Sequence, residues 1–306
     1  MEFLRPATWA EALAAKAANP EALPITGGTD VMVELNFGRR RPAVLLDLTR
    51  VSELGGWSEV AGRLRVGGAV TYAELTGERG GGERGSGLGR RLPGLALAAR
   101  TVGSPQIRNR GTIGGNLGSA SPAGDCHPSL LAAGAEVEVA SVRGSRRIGI
   151  DYFYTGVKRN ALAPDELIAA VWLRPPTGPE QFAKIGTRNA MVIAVAAFAL
   201  ALHPDRRRVR TGIGSAAPTP VRAERAEAFL AGAIGEGGLW ESRRPLPPLV
   251  VDEFGALVSA AARPIDDVRG TADYRRHSLG VLARRTLAWA WREYCAGAGR
   301  SDGGMG

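Results

Sequence analysis

Two glycine-dense turns carry the strongest chemical signal in this 306-residue sequence. The first is Thr26-Gly27-Gly28-Thr29-Asp30, and the second is Gly111-Thr112-Ile113-Gly114-Gly115-Asn116-Leu117-Gly118. Glycine lacks a Cβ and adopts positive φ freely, so successive N–H groups of such a turn can converge on one phosphate oxygen. In the first turn the donors are the amides of Gly27 to Thr29, joined by the Thr29 hydroxyl. A helix opening at Thr29 and Asp30 would direct its positive end at the same anion. In the second, Gly114 and Gly115 permit close approach, while Thr112 and Asn116 offer polar contacts. Each turn alone reads equally well as a tight structural turn. Together they point to a ligand with a long phosphate-bearing spine.

Other candidate chemistry is weaker. Gly212-Ile213-Gly214-Ser215-Ala216-Ala217 has the letters of a dinucleotide fingerprint, but Pro218-Thr219-Pro220 blocks the helix that should receive the pyrophosphate. Asp125-Cys126-His127 places a thiol beside an imidazole, yet sequence neighbours rarely orient one another as a thiolate and its base must. Helix capping or a ligand hydrogen bond by Asp125 is the more economical reading. With only Cys126 and Cys295, and with His127, His203 and His277 far apart, neither a cysteine-ligated cluster nor a zinc site is expected. Redox chemistry would have to come from an organic cofactor.

Composition bounds the rest. At 44% hydrophobic and 23% charged residues the chain is an ordinary globular protein. The longest apolar stretch, 191–202, falls well short of the ~20 residues a membrane span needs. The first six residues lack a secretion signal, so a cytoplasmic location is expected. Net charge is +9, and Lys16, Lys158 and Lys184 are the only lysines. No aromatics interleave with the arginines as they would on a nucleic-acid surface, so the charge reads as a solvated face that favours anionic ligands.

The elements that must position the turns follow from local signals. Thr8 and Glu11 form a capping box, opening a helix that Asn19-Pro20 stops. A strand over 22–26 enters the first turn, Thr29 and Asp30 can cap a helix running to about 36, and 43–48 reads as a buried strand. A hairpin joins 57–60 to 64–67, and a second capping box at Thr71 and Glu74 opens another helix. The Gly/Arg-rich stretch 76–91 reads as a surface loop rather than an RNA contact. A helix over 92–102 leads to the second turn, and Pro128 starts a short helix ending before Gly134. A hairpin over 136–141 and 146–150 turns about 143–145, a strand covers 166–173, and 175–179 is a linker. Beyond it, 181–186, 191–202 and 208–214 read as a three-stranded antiparallel sheet. Helices over 222–233, 249–262 and 278–295 follow, and the last six residues are expected to fray.

The run Pro105-Gln106-Ile107-Arg108-Asn109-Arg110-Gly111-Thr112-Ile113-Gly114-Gly115-Asn116, continued by Ser121-Pro122-Ala123-Gly124-Asp125, resembles the FAD-binding subunit of molybdenum hydroxylases. These are the medium subunits of xanthine, carbon monoxide and nicotinate dehydrogenase-type enzymes. The likeness takes in Gly27-Gly28-Thr29-Asp30, Pro164-Asp165-Glu166-Leu167-Ile168, Lys184-Ile185-Gly186-Thr187-Arg188-Asn189-Ala190 and Gly214-Ser215-Ala216-Ala217-Pro218-Thr219-Pro220. Several separate motifs in order, across nearly the whole chain, make it a specific match.

The resemblance implies an α+β, PCMH/VAO-type fold. Two α/β subdomains, 1–55 and 56–176, would hold FAD, followed by a C-terminal domain over 177–296 and a tail over 297–306. Pro24, Ile25, Thr26, Gly27, Gly28, Thr29 and Asp30, with Thr112, Ile113, Gly114, Gly115 and Asn116, would wrap the pyrophosphate and ribityl chain. Val102 joins this set. Asp125 would bond the ribose or ribityl region, Gly118 would lie along the cofactor, and Ile168 would pack near the isoalloxazine. Lys184 would stabilise charge at the pyrimidine end of the ring. Valine at Gly114 or Gly115 should then abolish FAD retention by steric exclusion.

The implied function is electron transfer through FAD, with no catalytic base on this chain. A large molybdenum-cofactor subunit and a small subunit with two [2Fe-2S] clusters would be its partners, in a dimer of heterotrimers. The alternative is a self-sufficient flavin oxidoreductase with its own organic substrate. Thr29-Asp30 departs from the carbon monoxide type. The cysteine-bearing insertion of hydroxybenzoyl-CoA reductase relatives is missing.

Overall fold

The computed structural model describes residues 1–77 and 87–297. They form two compact units: 1–91, 99–121 and 134–175 in the first, and 92–98, 122–133 and 176 onward in the second. Most of the Gly/Arg-rich stretch and the C-terminal tail lie outside the described residues. At its end, Leu88–Arg91 is helical and buries Leu88, so loop structure does not extend through position 91.

In the first unit a small parallel sheet has Val44–Asp47 at its centre, with Glu2–Leu4 on one side and Leu23–Ile25 on the other. Glu2–Leu4 is too short for any sequence pattern, and its partner strand lies some forty residues away. Helix Trp9–Ala18 begins at the expected box: Glu11 N donates to Thr8 Oγ1 at 3.2 Å, and the Glu11 carboxylate accepts from Ala7 N at 2.7 Å. Ala12, Leu46, Leu48, Val51, Leu54 and Leu167 close the core beneath it. Lys16, buried, donates to the carbonyls of Pro20 and Ala22 at 2.7 Å each, and so fixes the helix exit.

A five-stranded antiparallel sheet completes this unit, in the order Trp57–Val60, Arg63–Gly67, Leu167–Leu173, Glu136–Ser141, Gly144–Gly149. Both expected hairpins are present. The second turns at Val142-Arg143 rather than about 143–145, because Gly144, at φ +125°, already begins the returning strand. A β-bulge interrupts the central strand between Ile168 and Ala170.

In the second unit Glu180–Ile185, Ala196–His203 and Arg208–Gly214 form a three-stranded antiparallel sheet with the apolar strand in the middle. That strand starts five residues later than expected. Met191 stands at φ +50°, and Arg188 donates to the carbonyls of Ala190 and Met191 at 3.1 and 2.5 Å, so the chain loops before it can pair. Helices Glu224–Glu236, Pro248–Ala261 and Ala272–Ala296 cover the sheet around Phe198, Phe254 and Leu287. The last begins six residues early, at an N-cap the sequence reading missed: Thr271 accepts from Tyr274 N at 3.2 Å.

Helix Cys126–Ala133 lies against the same sheet, and Pro128 sits inside it rather than at its first residue. A Cβ at Gly212 would overlap the Pro128 carbonyl, and one at Gly214 would come within 2.9 Å of the Pro128 ring. The Gly-x-Gly pattern there serves helix-on-strand packing, not a dinucleotide. No described helix is long and apolar enough to cross a membrane.

Candidate functional site

The two glycine turns meet in the first unit. Thr26 and Thr112 join hydroxyls at 3.0 Å, linking turns 86 residues apart. Gly27 is glycine because the chain at Arg110 crosses it, where a Cβ would fall inside that residue's carbonyl. Gly28 takes φ +75°, a conformation that disfavours any side chain. Asp30 stands before helix Val31–Asn36 but in helical backbone, and its side chain makes no cap bond, so the expected capping role is not observed.

The turns differ in their amides. Among the described residues, the N–H groups of Gly27, Gly28 and Thr29 make no hydrogen bond. Those of the second turn are used: Ile113 donates to Val70 O at 3.0 Å, Gly114 to Gly68 O at 2.8 Å and Gly115 to Thr112 Oγ1 at 3.0 Å. Asn116 donates to Thr112 O at 3.0 Å. The expectation of converging free donors therefore fits the first turn only. Ile113 is fully buried, its side chain part of the core.

What the second turn offers is clearance and one acceptor. Gly115 and Gly118 are exposed on helix Ile113–Ser119, with Thr112 as its N-cap. A Cβ at Gly115 would stand 3.0 Å from Thr112 Oγ1 and 3.4 Å from Thr26 Oγ1. Asn116 Oδ1 is buried without a hydrogen-bond partner among the described residues, a vacancy that costs unless something fills it. Gly114 faces inward instead, its missing Cβ making room for Gly68, which the sequence reading did not single out. The pair Gly67-Gly68 was the signal that would have found it.

Ile168 lies beside Gly118, its Cδ1 3.9 Å from where a Cβ would be, so two expected site residues are brought together at the bulge. Val102 is half-buried and its carbonyl accepts from Arg108 at 3.2 Å. Pro24 and Ile25 form the strand that enters the first turn, where Ile25 O accepts from Leu48 N at 2.9 Å.

In the second unit Lys184 donates to Asp125 Oδ2 at 2.6 Å and to the Val192 carbonyl at 3.2 Å. Both members of the pair are nearly sequestered from water. Cys126 and His127 are fully buried, and burial pushes the imidazole down to about 3, so His127 stays neutral and no thiolate–base pair faces solvent. Among the described residues there is no cluster of three or more metal-ligating side chains.

These features fit a flavin nucleotide: three unpaired amides in one turn suit a phosphate, and glycine clearance with a buried amide oxygen suits a hydroxylated chain. Residues 1–175 match the FAD binding domain in molybdopterin dehydrogenase, and 181–290 match the CO dehydrogenase flavoprotein C-terminal domain. The chain belongs to the FAD-binding flavoprotein subunits of molybdenum dehydrogenases, which are oxidoreductases.

It is 30% identical over 296 residues to the xanthine dehydrogenase FAD-binding subunit of Escherichia coli O157:H7, covering 94% of this chain and 95% of that protein. With the nicotine 6-hydroxylase medium subunit of Paenarthrobacter nicotinovorans it shares 29% identity, over 95% and 97% of the two chains. The reconstituted CO dehydrogenase from Oligotropha carboxidovorans superposes at a TM-score of 0.85 and 28% identity, over 96% and 98%.

Proposed function

We propose that this chain is the FAD-carrying electron-transfer subunit of a multi-subunit molybdenum hydroxylase, and that its first unit grips the cofactor through both glycine turns. The observation that supports the grip most is the contrast between the turns: unpaired amides at Gly27, Gly28 and Thr29, against amides already committed from Ile113 to Asn116. The amides of Gly27 to Thr29, with the Thr29 hydroxyl, would hold the pyrophosphate. Asn116 Oδ1, buried without a partner among the described residues, would accept from a hydroxyl of the bound cofactor's chain, and Gly115 and Gly118 would leave that chain clearance.

FAD, when bound, supplies the redox chemistry: it takes up electrons and gives them to a further acceptor. The protein's share is to bind, orient and exclude. Electron delivery through iron–sulfur centres requires no base on this chain for abstracting a substrate proton. For Asp125 and Lys184 the assignment to the ribityl region and the pyrimidine end of the ring rests on the family motif alone.

The electrons come from [2Fe-2S] clusters on a small subunit, fed by a large molybdenum-cofactor subunit, in a dimer of heterotrimers located in the cytoplasm. Co-expression with both partners should yield a yellow complex whose acceptor-dependent turnover disappears when FAD is stripped. Rapid flavin reduction by a small organic molecule with the isolated chain would overturn this reading in favour of a self-sufficient oxidoreductase.

A further inference from the structure

We propose that helix Val31–Asn36 and the hairpin of Tyr154–Gly156 and Arg159–Asn160 dock a partner subunit presenting an apolar patch ringed by carboxylates. The proposal rests on the multi-subunit reading above. The helix follows the first glycine turn directly and buries none of its residues, although its sequence is Val-Met-Val-Glu-Leu-Asn. Met32, Val33 and Phe37 are 45%, 48% and 73% exposed. Phe37 N donates to Val33 O at 3.1 Å, so these two side chains share one face, one turn apart. Lys158 at the hairpin tip reaches Glu34 at 2.7 Å, bringing exposed Val157 to the same surface. Apolar side chains gathered on a helix that fully buries none of its residues call for a cover, since apolar surface left in water forgoes the gain of burial.

The rim decides what covers it. The Arg39 guanidinium lies 5.5 Å from the centre of the Phe37 ring, Arg40 stands 3.8 Å from Glu34, and Arg41 follows. Glu34 is the helix's one carboxylate and already serves both Lys158 and Arg40, which holds it below the usual carboxylate range. The surplus is positive and mostly guanidinium, whose planar fork suits carboxylates. A second copy of this chain is disfavoured, because a two-fold contact would set Arg39, Arg40 and Arg41 against themselves. A lipid surface is disfavoured as well, because a helix of six residues offers little apolar face to bury in a bilayer.

The test uses the co-expressed complex with two surface variants, Val33→Asp/Phe37→Asp and Arg39→Glu/Arg41→Glu. Both should keep the melting temperature and FAD content of the chain, and both should weaken partner association roughly tenfold or more. The charge-reversed variant should also lose the salt dependence of association seen in the wild type. Partners recovered at the wild-type ratio with both variants would overturn the proposal. So would a loss confined to self-association, or binding of the wild-type chain to phosphatidylserine vesicles through this face while the subunits stay assembled. A wild-type complex lacking FAD would strike the cofactor reading instead and leave this surface to be judged on association alone.

Discussion

Lys184 Nζ sits 2.6 Å from Asp125 Oδ2, with only 10% and 9% of the two side chains exposed. Their motifs lie 59 residues apart, and each was read from sequence as a separate cofactor contact. In the fold they are one ion pair, further tied to the strained loop before Ala196 through the Val192 carbonyl.

Breaking that pair from one side should cost more than removing it whole. Asp125→Asn leaves a sequestered ammonium without its carboxylate, and the penalty for such a change is about 3–5 kcal/mol. The double variant Asp125→Asn/Lys184→Met should recover a large part of it. Denaturant unfolding of the four proteins gives the coupling energy, and strict additivity would refute the pairing.

A second buried carboxyl sets a pH dependence. Glu180 is 7% exposed and accepts from Gly94 N at 3.1 Å, packed among Ser129, Ala132, Gln181 and the strand 199–201. Burial pushes its carboxyl from 4.5 up to about 7, against the smaller opposing effect of the Gly94 hydrogen bond. A folded value above the unfolded one stabilises fully below pH 4.5, and that contribution is lost as pH rises through about 7. The loss approaches about 3 kcal/mol. Glu180→Gln keeps an acceptor for Gly94 N and should flatten the decline of melting temperature between pH 5 and 8. An unchanged slope would refute it.

The glycines of the second turn separate folding from cofactor clearance. Gly114→Ala drives a Cβ to within 2.6 Å of the Gly68 carbonyl, so it should destabilise the unit with or without cofactor. FAD loss by valine at Gly114 would thus follow from a broken cradle rather than from a blocked phosphate. Gly118 is exposed, and its Cβ would meet only Ile168 Cδ1 at ordinary contact distance. Gly118→Ala should leave the chain without FAD as stable or up to about 1 kcal/mol more stable, from helix propensity. Its FAD affinity should nonetheless fall about tenfold or more, a loss of roughly 1.4 kcal/mol. Calorimetric melts with and without FAD distinguish the two, and unchanged affinity would remove Gly118 from the site.

Local rules made much of this chain legible. The boxes at Thr8 and Thr71 and the hairpin of Trp57–Val60 with Arg63–Gly67 all depend on residues within a few positions of one another. The two glycine turns were conspicuous for the same reason: a backbone that must bend left-handed or admit another chain leaves its mark in residue type. The order of motifs along the sequence sufficed to give the family and with it the cofactor. What each glycine is for was not legible. Gly27 yields to Arg110, Gly114 to Gly68 and Gly212 to Pro128, all contacts between distant segments, while Gly115 and Gly118 of the second turn are exposed. Likewise, which amides stay unpaired and which carboxylate meets Lys184 depend on long-range chain crossings. Sequence patterns report periods of two and 3.6 residues; pairing across eighty residues is settled only when the core closes.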